Sequence, residues 1–94
     1  MAGISMTVAS IQPGKMEEAY KFIDTQSHLV STIEGMTGFA VAATGDNELT
    51  VIGVYESTAA AAEASPVVQG VFSEMASLMA AAPERGVFSG VWFS

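Results

Sequence analysis

The chain has 94 residues, the length of one domain, and sets ten acidic side chains against two lysines and one arginine, a formal charge of −7. That balance excludes binding to a nucleic-acid backbone, which needs clustered basic residues, and docking on an anionic membrane surface. Half of the residues are hydrophobic, only 14 % are charged and none is cysteine. No disulfide therefore supplements a small core, and the apolar surplus points to burial against a second chain.

Residues 3–11, GISMTVASI, alternate and are rich in β-branched types, which predicts a first strand ended by Pro13 and Gly14. Residues 15–34 predict a helix: Met16, Ala19, Tyr20, Ile23, Ser27, Val30 and Ile33 follow the spacing of one face. Glu17 and Glu18 suit its first turn, and Gly35 suits the position just past its end. Residues 38–44 predict a second strand. Gly45-Asp46-Asn47 is turn chemistry, and Glu48–Glu56 predicts a third strand that completes a hairpin.

Ser57 is placed to cap a short Ala-rich helix over Thr58–Ala64. Ser65-Pro66 reads as a second cap, with proline at the first position of a helix running to about Ala81. Its apolar stripe is Val68, Val71, Phe72, Met75, Leu78 and Met79. Pro83-Glu84-Arg85-Gly86 then turns the chain into a fourth strand, Gly86–Ser94. The apolar runs are too short to span a bilayer. The N-terminal stretch has no basic segment followed by an apolar block, so the expected location is cytoplasmic, in a protein of bacterial type.

The order βαββαβ over residues 1–94 predicts a single ferredoxin-like α+β domain. Its four antiparallel strands would lie in the order 4-1-3-2, with both helices on one face. The opposite face would be apolar rather than wet, because strand three carries Leu49, Val51 and Tyr55 on one side and Ile52 and Val54 on the other. The last strand is apolar on both sides as well, with Val87, Val91 and Phe93 opposite Phe88 and Trp92. The expectation is a homodimer, packed sheet to sheet.

Four stretches carry a family likeness: PGK at 13–15, GMTGF at 35–39, VYES at 54–57 and the closing GVFSGVWFS. Together they cover the turns and strand ends of a chain that resembles the dimeric α–β barrel superfamily, and within it the small antibiotic biosynthesis monooxygenase-like domains. The resemblance implies a barrel closed by two copies and no cofactor. Members of the superfamily include cofactor-independent oxygenases of polycyclic aromatics, haem-degrading proteins and isomerases, so fold alone is a weak guide to activity. The oxygenases use Asn, Trp and Arg, or Asn, His and Trp, in a cleft between helices and sheet. Here the sole asparagine, Asn47, is in the hairpin turn, Arg85 precedes strand four and Trp92 is near the C-terminus. No catalytic residue is carried across.

The residues themselves offer ligand-binding candidates. Tyr55 could donate to an oxygen and Trp92 could stack on a ring. Phe39 and Phe72, with Phe22 and several methionines, could line an adaptable apolar cleft. Ser89 and Arg85 are the remaining polar anchors. His28 lies beside Glu17, Lys21 and Asp24, off the apolar stripe, and reads as a surface side chain; a haem ligand would have to face inward. There is no Gly-rich phosphate loop and no metal-ligand spacing. The chain reads as a binder of a hydrophobic small molecule, with a cofactor-independent monooxygenase as its enzymatic form. The alternative is a non-catalytic dimerisation module.

Overall fold

β1 (Ala2–Ser10) pairs antiparallel with two later strands, β3 (Glu48–Tyr55) and β4 (Glu84–Gly90), in the computed structural model, which describes residues 1–93. β2 (Met36–Gly45) borders β3 through a hairpin turned at Asp46-Asn47. The sheet order is β2-β3-β1-β4, the arrangement expected from the element order. One sheet face is covered by helices, and the polarity of β1 across the two faces is inverted. Gly3, Ser5, Thr7 and Ala9 point under the helices and are buried, whereas Met6 is exposed and Ile4 and Val8 are only half-buried on the other face.

The predicted first helix is two: α1 (Met16–Asp24) and α2 (Leu29–Thr32), separated by Thr25–His28. Side-chain hydroxyls bond backbone carbonyls on either side of the break. The Thr25 hydroxyl bonds the Phe22 carbonyl, and the Ser31 and Thr32 hydroxyls both bond the His28 carbonyl. The break also shifts the phase of the apolar face. Met16, Ala19, Phe22, Ile23, Leu29 and Ile33 pack inward, while Tyr20, Ser27 and Val30 are exposed. Gly35 is not the residue directly after a helix. It follows the Ile33 cap by two positions, at a φ of +80° that favours glycine, and its carbonyl accepts from the Glu56 amide.

Ser57 does cap α3 (Thr58–Glu63), its hydroxyl accepting from the Ala60 amide at 3.1 Å. Ser65 does not cap α4 (Ser65–Glu74). Ala64 takes that place, and the Ser65 side chain turns elsewhere. α4 also stops short of Ala81. Met75 and a 3₁₀ turn (Ala76–Leu78) follow, because the chain beyond is captured by β1 and the residues after it: Gln12 N–H bonds the Leu78 carbonyl, and Ala80 N–H bonds the Ser10 carbonyl. β4 begins at Glu84, so Arg85 is a strand residue rather than part of a turn. It ends at Gly90, where the ladder to β1 closes on Ala2. The predicted extension over Val91, Trp92 and Phe93 is not strand, and Ser94 lies outside the described residues.

Two adjoining clusters form the core between sheet and helices. Ala9, Ile11, Ala19, Leu49, Phe72 and Met75 make one; Ile33, Tyr55, Ala61 and Ala64 make the other. The opposite sheet face leaves Phe88 54 % and Met6 42 % exposed, beside half-buried Ile4, Ile52 and Val54. No helix among the described residues is long and apolar enough to cross a membrane.

Candidate ligand-binding cleft

The inverted polarity of β1 sets hydroxyls into an otherwise apolar chamber. Ser5 and Thr7 are 4 % and 2 % exposed. They line a cavity of about 70 Å³ walled by Phe22, Leu29, Phe39, Val41, Val51 and Met75. Tyr55 is buried at the same place. Its hydroxyl and that of Ser5 converge above Gly53, where a Cβ would sit 3.3 Å from the Tyr55 oxygen and 2.6 Å from the Ser5 oxygen. Glycine is required there because two side chains already fill the space a third would need. The chamber holds about two waters at ~30 Å³ each, well under the ~300 Å³ at which ligand pockets begin.

Beside it lies an open groove of about 800 Å³ between α4, the 80–83 connection and β4. Arg85 provides its only charge, and none of the ten acids lines it. The guanidinium donates through Nη1 to the Ser65 hydroxyl at 2.7 Å and through Nη2 to the Ala61 carbonyl at 2.9 Å. Its Nε is buried with no partner. Among the described residues the one ion pair is Lys15–Glu18, on the surface, so no carboxylate neutralises Arg85. Arg85 is half-buried, and its Nε–H is a buried donor whose missing partner carries a cost that an oxygen acceptor would relieve.

The structure brings some of the predicted site residues together and separates others. Tyr55, Phe39 and Phe72 share the inner chamber, and Phe72 also lines the groove with Arg85. Trp92 is 42 % exposed at the far end of the sheet, in a shallow groove with the outer side of Tyr55. Ser89 is exposed, its hydroxyl 3.4 Å from the Met1 sulfur, and lines neither space. His28 is exposed, with Nδ1 3.2 Å from the Thr25 carbonyl oxygen, and it lines neither the chamber nor the groove. No group of His, Asp and Glu among the described residues is placed to hold a metal ion.

Ser5, Thr7 and Ser65, with Gln26, Gln69 and Ser73, are polar lining residues that the sequence did not single out as part of a site. Ser5 and Thr7 alternate with Ile4, Met6 and Val8, and by polarity alone they belong on the wet side of a strand. Ser65 followed by proline looks like a cap, and only the packing of β4 against α3 and α4 turns it toward Arg85.

No protein-family model matches the chain, and no curated protein matches it. Solved structures do match. A protein of unknown function from Nitrosomonas europaea is 15 % identical with a TM-score of 0.79, over 100 % of this chain and 94 % of that one. A provisionally assigned antibiotic biosynthesis monooxygenase from Caulobacter crescentus is 19 % identical with a TM-score of 0.76, over 97 % and 91 %. SnoaB, a cofactor-independent oxygenase from Streptomyces nogalater, solved as a mutant form, is 14 % identical with a TM-score of 0.73, over 98 % and 95 %. At these identities the likeness carries the fold and not the chemistry. The chain has the fold of these solved structures, among them proteins described as an antibiotic biosynthesis monooxygenase and a cofactor-independent oxygenase: a ferredoxin-like α+β unit with one helix-covered face.

Proposed function

We propose that the protein is a homodimer that binds a hydrophobic small molecule in the cleft between helices and sheet. The observation that carries the ligand is Arg85: an unneutralised guanidinium, with a buried and unpartnered Nε, in a groove next to a hydroxyl-bearing apolar chamber. Support for the dimer comes from the open sheet face, where Met6 and Phe88 would leave an apolar surface in water.

The narrower, enzymatic form of this reading is a cofactor-independent monooxygenase, close to the activity SnoaB's description gives for that protein. Such a reaction needs a dry site that orients an electron-rich substrate and stabilises the oxyanion formed from it. Arg85, the hydroxyls of Tyr55, Ser5 and Thr7, and the Gln26 amide are the donors this chain has for that task. The second reading, a non-catalytic dimerisation module, is favoured by one observation: an inner chamber of about 70 Å³ is too small for a substrate as it stands.

Native mass spectrometry of freshly purified protein tests both parts together. The expected result is a dimer carrying an added small-molecule mass. A clean dimer that takes up no apolar probe favours the dimerisation module. A monomer across micromolar concentrations overturns the assembly.

A further inference from the structure

We infer that the ligand is an apolar organic carboxylate, with its anionic head on Arg85 and its body in the inner chamber, and that Phe72 is the door it displaces. The inference rests on the ligand-binding reading above and names the chemical class of that ligand. Thr7, Val68 and Phe72 line both the open groove and the inner chamber, so these three side chains are the wall between the two spaces. Thr7 is held in the central part of the sheet, between Val51 and Arg85 of its neighbouring strands. Val68 is small. Phe72 is the large member, and its helix enters through Pro66 and ends at the irregular turn after Glu74. A change in its χ1 rotamer joins an 800 Å³ groove to the 70 Å³ chamber and adds the space its ring had filled.

The joined site has a definite polarity. Arg85 is the sole charge in either lining. Of its five N–H donors two are used inside the protein, which leaves three, and the Nε–H has no recourse to water. A neutral hydrocarbon would leave that donor unmet. A carboxylate accepts two charge-assisted bonds from a guanidinium edge and neutralises it. Thr7 sits opposite Arg85 in the ladder, and Ser5 is two residues further along, about 7 Å at strand spacing. Between and beyond them the walls are aromatic and aliphatic apart from Gln26. The ligand this arrangement would take has a flat aryl body of about that length, with its carboxylate left at the mouth.

The test is a fluorescence titration of the full chain with 2-naphthoate and with its neutral counterpart 2-naphthalenemethanol. The expected preference for the carboxylate is at least about tenfold, the scale of one hydrogen bond to a charged group. Arg85→Gln should reduce that preference to within about twofold, and Phe72→Ala should speed association of both probes in stopped flow. Equal affinities in the unmodified protein would overturn the carboxylate while leaving an apolar ligand site standing. Binding of neither probe overturns both. A preference that survives in Arg85→Gln removes the role given to Arg85, and an unchanged association rate in Phe72→Ala removes the door. The comparison of the two probes on the unmodified chain needs no variant, so the carboxylate preference is decided even where Arg85→Gln does not fold.

Discussion

Gly53 shows how tightly the cleft is specified at single positions. Its missing side chain leaves room for the Ser5 hydroxyl and the Tyr55 ring, and a methyl group there would meet the Tyr55 Cε1 at 3.0 Å as well as the Ser5 oxygen. Gly53→Ala should therefore cost about 2 kcal/mol in urea unfolding, the usual scale of overpacking. Adding Ser5→Ala should recover part of that loss, because it removes the atom in closest conflict. Strict additivity of the two changes would show that the contact does not matter. None of this geometry was legible in the sequence. Period-two alternation in β1 divides its residues into two sets, but it does not say which set faces the helices. The polarity of Ser5 and Thr7 points to the solvent side, and the structure puts them inside.

Element by element, legibility followed how local the deciding interaction is. The Ser57 cap depends on residues three apart and was readable. Ser57→Ala should lower stability by about 1 kcal/mol, read from the urea midpoint, with the loss concentrated in faster amide exchange over the first turn of α3. Uniform exchange protection across that turn in the variant would show that the hydroxyl does not hold the helix start. The helix interruption at Thr25–His28 was also local, since Ser, Thr and His crowd there, but the apolar spacing ran through it and hid the break. The end of α4 was beyond reach, because it is set by residues far away in the chain: Ser10 and Gln12 take the backbone partners of Ala80 and Leu78. The same holds for β4, whose start at Glu84 and end at Gly90 are fixed by its ladder to β1 rather than by its own composition.

At the scale of the molecule, the order of elements was enough for the sheet. Strand sequence β2-β3-β1-β4 follows from two short-connected halves, and both halves were visible as strand and helix patterns. The apolar opposite face was legible too, because β3 is hydrophobic on both sides. What could not be read was that β1 carries its apolar residues on that open face and its hydroxyls on the covered one. The dimer proposal makes a direct prediction here. Phe88 lies opposite Ile4 on the open face and is 54 % exposed. Phe88→Lys should shift the mass seen in sedimentation velocity from dimer to monomer at micromolar protein, without changing the far-UV circular dichroism. A dimer of unchanged stability in that variant would move the interface to another surface.

The nine residues of β1 thus govern two properties by parity. Odd positions 5, 7 and 9 line the inner chamber and set its polarity, while even positions 4, 6 and 8 set the character of the outer sheet face. Substitutions of one parity leave the other nearly untouched, which makes the strand an independent control for recognition and for assembly. The same coupling makes it intolerant of insertions. One added residue near its start would send Ile4, Met6 and Val8 inward and the hydroxyls out. Chamber chemistry and sheet surface would then be lost in a single step, although every side chain in the strand was retained.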